Sequence, residues 1–288
     1  MTSAPAFFRE TQPRVERALQ QALAGEFDGP PAVRDAMRYT LLAPSKRVRA
    51  ILTLVACDLC GGGNAEPAAA AVEMVHASSL ILDDLPSMDD APLRRGKPSC
   101  HVQYGEAVAV LAAFALLSDA FGVIAAAYDA PLARDLTARL ARAIGSDGLI
   151  AGQAEDLLVT DTAIAFETLE RIHRRKTGVL FSAAAAAGAA VAGASDEHLR
   201  ALDTYARNLG LAFQIVDDLL DVTGDPAETG KAARADARKT TFVSFSGADG
   251  ARQLAAELCR TADAALRPFG SRASPLLDLS AFVAGRRL

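Results

Sequence analysis

The sequence predicts an all-α fold, and three observations predict it. Apolar residues recur at spacings of three and four along most of the chain. Segments that alternate β-branched or aromatic residues with polar ones are scarce, and alanine is abundant. With 288 residues, 51% of them hydrophobic, the chain can bury a large core. The formal charge of −5 argues against a nucleic-acid partner, yet basic residues gather at 46–49, 94–97, 171–176 and 231–239. That distribution suits a confined anionic ligand better than a long polyanion. The first residues, MTSAPAFFRE, lack a basic start followed by an apolar run, so no signal peptide is expected and the expected compartment is the cytoplasm. Four cysteines in a chain this long are no disulfide framework. Cys57, Cys60 and Cys100 beside His101 are set aside as a zinc site, because a second ligand pair at ribbon-like spacing is missing.

The elements follow in order. Residues 13–24 place Val15, Leu19 and Leu23 on one helical stripe, and the link GEFDGPPAV ends it. A second helix runs from about Val33 to Leu42 and stops at Ala43-Pro44. A third, SKRVRAILTLVACDLCGGG, closes in glycines. Its first turn carries Lys46, Arg47 and Arg49. Three cations at a helix N-terminus, where backbone N–H groups are unsatisfied, make an anion site. Residues 66–84 form a helix leading into DDLPSMDD, and helices are expected at 104–128 and 131–145, then at GLIAGQAEDLL and RIHRRKTG. The alanine-rich run 182–194 is too short and too weakly apolar to span a membrane, so it reads as closely packed core and no stable membrane insertion is expected. Helix 196–223 follows, then a loop ending in KTT, then one or two covering helices from Ala251 with a break at 270–275. No repeat or boundary divides the chain. It reads as one domain, 1–288, a bundle around a central cavity.

Two stretches carry chemistry. In HASSLILDDLPSMDDAPLRRGKPSCH an uncharged apolar run reaches Asp83 and Asp84, breaks at Pro86, reaches Asp89 and Asp90, and switches sign at Arg94, Arg95 and Lys97. Acid followed by base suits a polyphosphate ester: carboxylates hold Mg²⁺, which fills its octahedron with phosphate oxygens, and arginines take the remaining charge. On a straight helix Asp83 and Asp89 are out of register, so Pro86 must re-aim the second pair. In FQIVDDLLDVTGD, Asp217 and Asp218 lie four and three residues before Asp221 and share its face. Like charges so close repel one another without a cation.

DDLPSMDD with LRRGKP, and FQIVDDLLD with GDPAETGK, resemble the two aspartate-rich motifs of the trans-isoprenyl diphosphate synthases, and the resemblance runs along nearly the whole chain. It is most similar to the bacterial geranylgeranyl diphosphate synthases of carotenoid pathways, since Ala91 follows the acidic run and a short basic loop ends in KTT. The resemblance implies an Mg²⁺-dependent prenyltransferase of the isoprenoid-synthase fold, a homodimer, with isopentenyl diphosphate and an allylic diphosphate (dimethylallyl, geranyl or farnesyl) as substrates. It implies Asp83, Asp84, Asp89, Asp217, Asp218 and Asp221 at the metal. Lys46, Arg49, His76 and Arg95 then hold isopentenyl diphosphate, while Arg94, Lys176, Thr177, Gln214, Lys231 and Lys239 hold the allylic one. Gln153 and Asp156 match a Gly-Gln-x-x-Asp support on the cavity wall. The chain departs from the family at Pro44-Ser45, where relatives have two glycines, and at Ala91 and Pro92, where many have acids.

Product length is read at Ser79, about one turn below Asp83, and at Ser78, slightly deeper on its flank. Farnesyl producers have an aromatic floor at the position of Ser78. Serine leaves room for roughly one more prenyl unit, which implies a C20 product, with Ser78→Tyr expected to shift output to C15. The alternatives are a farnesyl diphosphate synthase and a non-catalytic modifier subunit, against which the intact second cluster speaks. A terpene cyclase would replace one cluster with an Asn/Ser/Glu motif, and a di-iron bundle would need paired Glu-x-x-His, which is absent.

Overall fold

The computed structural model describes residues 6–25, 28–159, 164–223 and 240–285. Among these the chain is almost wholly helical, with one two-stranded hairpin. The helices are α1 (Ala6–Ala22), α2 (Pro31–Leu41), α3 (Val48–Leu59), α4 (Glu66–Asp83), the short α5 (Cys100–Tyr104), α6 (Glu106–Ala127), α7 (Ala130–Ile144), α8 (Leu149–Leu158), α9 (Phe166–His173), α10 (Val179–Val191), α11 (Asp196–Thr223), α12 (Phe242–Ala265) and α13 (Ser274–Ala284). Strands β1 (Leu93–Arg94) and β2 (Lys97–Pro98) pair antiparallel between α4 and α5.

The centre of the bundle is α3, α4 and α10. From Val48 to Leu59 only Arg49 and Asp58 of α3 are not buried. At ~1.5–3 kcal/mol per fully buried Leu, Ile or Val, this helix is a principal source of apolar stabilisation. The alanine-rich α10 packs closely on α3 because its residues are small. A Cβ on Gly188 would stand 2.0 Å from the carbonyl oxygen of Thr53, so any side chain there would part the two helices. A second, smaller core gathers Leu169, Ile215, Leu219 and Phe242 where α9, α11 and α12 meet.

Three boundaries differ from the sequence expectation. Helix α3 begins at Val48, so Lys46 precedes it and Arg47, at a left-handed φ, is its N-cap rather than part of its first turn. Helix α1 begins at Ala6 and runs through Pro13, because Phe8 is buried and its ring lies 4.9 Å from that of Phe282. That packing outweighs the lost backbone hydrogen bond, and the proline ring faces solvent. Helix α12 already starts at Phe242, behind a capping box in which the Ser244 N–H donates to Thr241 Oγ1 and the Thr241 N–H to Ser244 Oγ, and it kinks at Gly247.

Among the described residues α6 is the one helix long and apolar enough to cross a membrane. It instead lays one face on α4, burying Ala109, Ala112, Ala113, Leu116 and Ala120, and leaves Leu111 and Phe114 more than half exposed on the other.

Candidate active site

Helix α4 ends at Asp83, and the chain then folds back on its own end. The Asp89 N–H donates to the Asp83 carbonyl at 2.9 Å and the Ala91 N–H to that of Asp84 at 3.2 Å. Pro86 stands exposed in this turn, and Asp90 takes a left-handed φ of 47°. The break thus brings Asp89 back beside Asp83, as register alone would not. The hairpin that follows turns through Arg95 and Gly96, both at positive φ (55° and 74°), the geometry a two-residue β-turn demands. Arginine at such a φ is strained.

Asp84 and Arg94 are neighbours through that fold. The Arg94 guanidinium is bidentate on the buried Asp84 carboxylate, with Nε 3.0 and 3.1 Å from its two oxygens. Asp84 is therefore engaged by Arg94. Burial pushes the Asp83 carboxyl up to about 6, with Asp89 and Asp84 adding to the rise and Lys176 and Arg94 opposing it.

The opposite wall comes from a π-turn, Arg174–Gly178, inserted between α9 and α10. Such turns are rare and concentrate at functional sites, and the sequence pattern did not announce this one. It carries Lys176, whose Nζ lies 2.7 Å from Asp156 Oδ2 on α8, and Thr177. Helix α8 can approach because residue 152 is glycine: a Cβ there would meet the Lys176 backbone nitrogen at 2.3 Å. Thr177 Oγ1 donates to Gln214 Oε1 (3.0 Å), and Gln214 Nε2 donates to Asp218 Oδ1 (2.9 Å). Asp218 Oδ2 accepts the N–H of Phe242 at 3.2 Å. Burial pushes the Asp218 carboxyl up to about 7, against those hydrogen bonds and with help from Asp217 and Asp221. Both its oxygens are engaged, so Asp218 braces α12 and Gln214.

Between the walls lies a cationic floor. Arg49 stacks on Phe181, 4.7 Å from the ring centre, with Nη1 3.3 Å from His76 Nε2. Burial lowers Arg49 to about 10, which leaves it charged at neutral pH. His76 is driven well below its ordinary value, first by burial and then by Arg49, Arg95, Arg94 and Arg47. Lys46 is exposed, its Nζ 5.6 Å over the ring of Phe282. Arg47, expected beside Lys46 and Arg49 as a third ligand-facing cation, instead turns inward. Its side chain is buried, with Nε 2.8 Å from Glu16 Oε1 and Nη1 3.7 Å from the buried Glu73, and its φ of 51° is left-handed. Two carboxylates on α1 and α4 thus claim it. Glu73 was not singled out in the sequence, although a lone acid inside the apolar run AAAAVEMV was the signal.

Ser78 is buried in the seam with α6, donating to the Ala113 carbonyl at 2.9 Å, and Ser79 donates back to that of His76 at 2.9 Å. Gln153 is buried with its Oε1 unsatisfied and its amide nitrogen 3.9 Å from Met88 Sδ. Lys231 and Lys239 lie outside the described residues. A cleft opens beside the site between α2 and the hairpin, lined by Tyr39, Thr40, Leu80, Asp84, Arg94 and Arg95.

Among the described residues no three carboxylates, imidazoles or thiols converge on one point. Mg²⁺ takes one or two protein carboxylates and completes its shell from phosphate and water. The Asp83 carboxyl is raised first by burial and then by Asp89 and Asp84, an environment in which a bound cation would favour the charged form.

Comparison with known proteins gives the same answer as the geometry. A geranylgeranyl pyrophosphate synthase 12, chloroplastic, of Arabidopsis thaliana is 46% identical over 270 residues, 89% of this chain and 75% of that protein. The crystal structure of a geranyltransferase from Legionella pneumophila superposes with a TM-score of 0.87 at 33% identity, covering 97% of this chain and 95% of that one. An FPP/GFPP synthase of Zymomonas mobilis gives 0.83 at 34% identity, over 96% and 97%. The family model for polyprenyl synthetase matches residues 30–257, and the chain belongs to the polyprenyl synthetase family.

Proposed function

We propose that this protein is an Mg²⁺-dependent prenyltransferase that condenses isopentenyl diphosphate with allylic diphosphates and releases geranylgeranyl diphosphate. One observation carries the reading. Adjacent residues of one turn reach toward both aspartate clusters: the Lys176 charge acts on Asp83, and Thr177 is linked through Gln214 to Asp218. The relatives named for geranylgeranyl products support the C20 assignment. The finer likeness to bacterial enzymes of carotenoid pathways rests on Ala91 and the KTT loop alone.

Mg²⁺ held by Asp83, Asp89, Asp217 and Asp221 would neutralise charge on the leaving diphosphate. Lys176 and Arg94 stand beside these carboxylates and offset the same charge as the C–O bond breaks. Lys46, Arg49, His76 and Arg95 hold isopentenyl diphosphate so that its double bond attacks the allylic C1. A proton then leaves the new chain. His76 Nε2 already accepts from Arg49, and the departing diphosphate is the proton acceptor. Apolar walls keep water from the allylic cation. The exposed face of α6, with Leu111 and Phe114, is covered by a second copy of the chain. Light scattering should give a dimer, and a monomer at working concentration would remove that element.

The test supplies labelled isopentenyl diphosphate with dimethylallyl, geranyl or farnesyl diphosphate and reads product length. A C20 product from each primer is expected. Release at C15 would make the protein a farnesyl diphosphate synthase, and no incorporation would end the reading.

A further inference from the structure

Glu73 is a carboxylate buried to 3% exposure within the apolar run AAAAVEMV of α4, three residues before His76. Its two oxygens reach the head of α3. Oε1 accepts the Ala50 N–H at 3.3 Å, and Oε2 lies 3.7 Å from Arg47 Nη1. Ala50 is the third residue of α3, so its N–H is among those the helix itself cannot satisfy. The N-cap residue, Arg47, offers no side-chain acceptor, and a carboxylate from α4 fills that place.

Arg47 ties the same point to two more elements. Its guanidinium donates to Glu16 of α1 through Nε (2.8 Å) and Nη2 (3.3 Å), and to the Ala43 carbonyl after α2 (3.0 Å). One turn earlier on α1, Gln12 Nε2 donates to the Ser45 carbonyl at 3.1 Å. The segment 43–50 is thus held from α1 and α4 at once. Arg47 turns inward at its left-handed φ, while Lys46 before it stays exposed and Arg49 after it meets His76.

Four arginines, at 47, 49, 94 and 95, bear on His76. Like charges so gathered push apart unless a counter-charge stands among them. Burial lowers both Arg49 and Arg95, and the Glu73 charge is the first to oppose that fall in each. A buried ion pair is a weak source of fold strength, because well-packed apolar residues in its place are often as stable. Fold strength alone therefore does not account for Glu73.

We propose that Glu73, acting through Arg47 and the Ala50 N–H, is a positioning residue for the isopentenyl diphosphate subsite. It fixes the head of α3 against α4, so that Lys46 and Arg49 converge with His76 and Arg95 on one diphosphate. The inference rests on the subsite assigned above and adds what holds its cations together before the substrate arrives.

The test uses the full-length protein and two readouts. Calorimetry with inorganic diphosphate and metal-free protein reads the cationic subsite without turnover. Steady-state kinetics with Mg²⁺, labelled isopentenyl diphosphate and an allylic diphosphate, each varied in turn, reads the two KM values and kcat. Glu73→Gln keeps the shape and an oxygen for the Ala50 N–H but drops the charge. It should weaken inorganic diphosphate binding and raise KM for isopentenyl diphosphate, each by about tenfold, with the allylic KM within about twofold and kcat within about threefold of wild type. Arg47→Lys keeps the charge but loses the fork that spans Glu16, Glu73 and Ala43, and should give the same split. Glu16→Gln, at a half-buried carboxylate, should shift both readouts the same way by about threefold, and it keeps the inference open to refutation if Glu73→Gln does not fold.

Unchanged diphosphate affinity in Glu16→Gln and in a folded Glu73→Gln, or an equal rise in both KM values, would reduce Glu73 to a brace of the fold and overturn the inference. Tighter diphosphate binding would make Glu73 a bare counter-charge that competes with the substrate, and would overturn it as well. Wild type that binds inorganic diphosphate, with the loss in Glu73→Gln, but incorporates no label would end the prenyltransferase reading and leave Glu73 positioning a diphosphate site. Wild type that neither binds diphosphate nor incorporates label would overturn both.

Discussion

Arg49 Nη1 lies 3.3 Å from His76 Nε2. A guanidinium only donates, so Nε2 is the acceptor and the imidazole is neutral, with its proton on Nδ1. Burial and the surrounding arginines hold it so. In a nitrogen-15 NMR titration of the folded protein, His76 should show no protonation between pH 8 and pH 5.5. A midpoint near the ordinary histidine value of 6.5 would show that the Arg49 contact does not form in solution.

The two substrates should respond to different residues. Lys46→Ala and Arg95→Ala should raise KM for isopentenyl diphosphate by about tenfold, the loss of roughly one charge-assisted hydrogen bond. Lys176→Ala should act on the allylic substrate instead. Gly152→Ala should mimic it, because the new Cβ strikes the Lys176 backbone at 2.3 Å and shifts that residue without removing its charge. Steady-state kinetics with each substrate varied in turn reads this, and equal effects on both KM values would show that the two subsites are wrongly divided.

The helices and the aspartate clusters were legible because their signals are local. An apolar stripe at three-and-four spacing and a carboxylate pair at its end need nothing from the rest of the chain. What was not legible depends on contacts distant in sequence. Phe8 extends α1 because Phe282 is there to meet it. Arg47 leaves the anion site because Glu16 and Glu73 converge on it from other helices. The π-turn at Lys176 has no residue signature, and its close approach to α8 is visible only afterwards, in Gly152. Asp84 and Asp218 look like their neighbours in sequence, but a hairpin and a distant helix N-terminus take up their oxygens.

The carboxyls of Asp83 and Asp218 are raised from 3.8 to about 6 and about 7, burial being the first cause of each. Each binds its proton more tightly folded than unfolded. Their contribution to stability is therefore greatest in acid and is lost as pH rises from about 4 through about 7. His76, held low, works in the opposite sense and favours the folded state as pH rises through 6.5. The difference between wild type and Asp83→Asn isolates one group. In metal-free protein, thermal melts should show Asp83→Asn gaining on wild type between pH 4 and pH 7 and keeping a lead of a few degrees above it. Parallel curves across that range would show that the Asp83 charge carries no such penalty.

The central claim is that the two aspartate clusters serve a metal-assisted prenyl transfer rather than the fold. Its most direct test is the turnover of labelled isopentenyl diphosphate by wild type, Asp83→Asn and Asp217→Asn, each with Mg²⁺ and with EDTA, beside their melting temperatures. Loss of one carboxylate should lower kcat by about a hundredfold or more, ~3 kcal/mol of transition-state stabilisation. The fold should be unharmed, and EDTA should abolish wild-type turnover. Turnover that survives EDTA, or either substitution at full rate, would contradict the account.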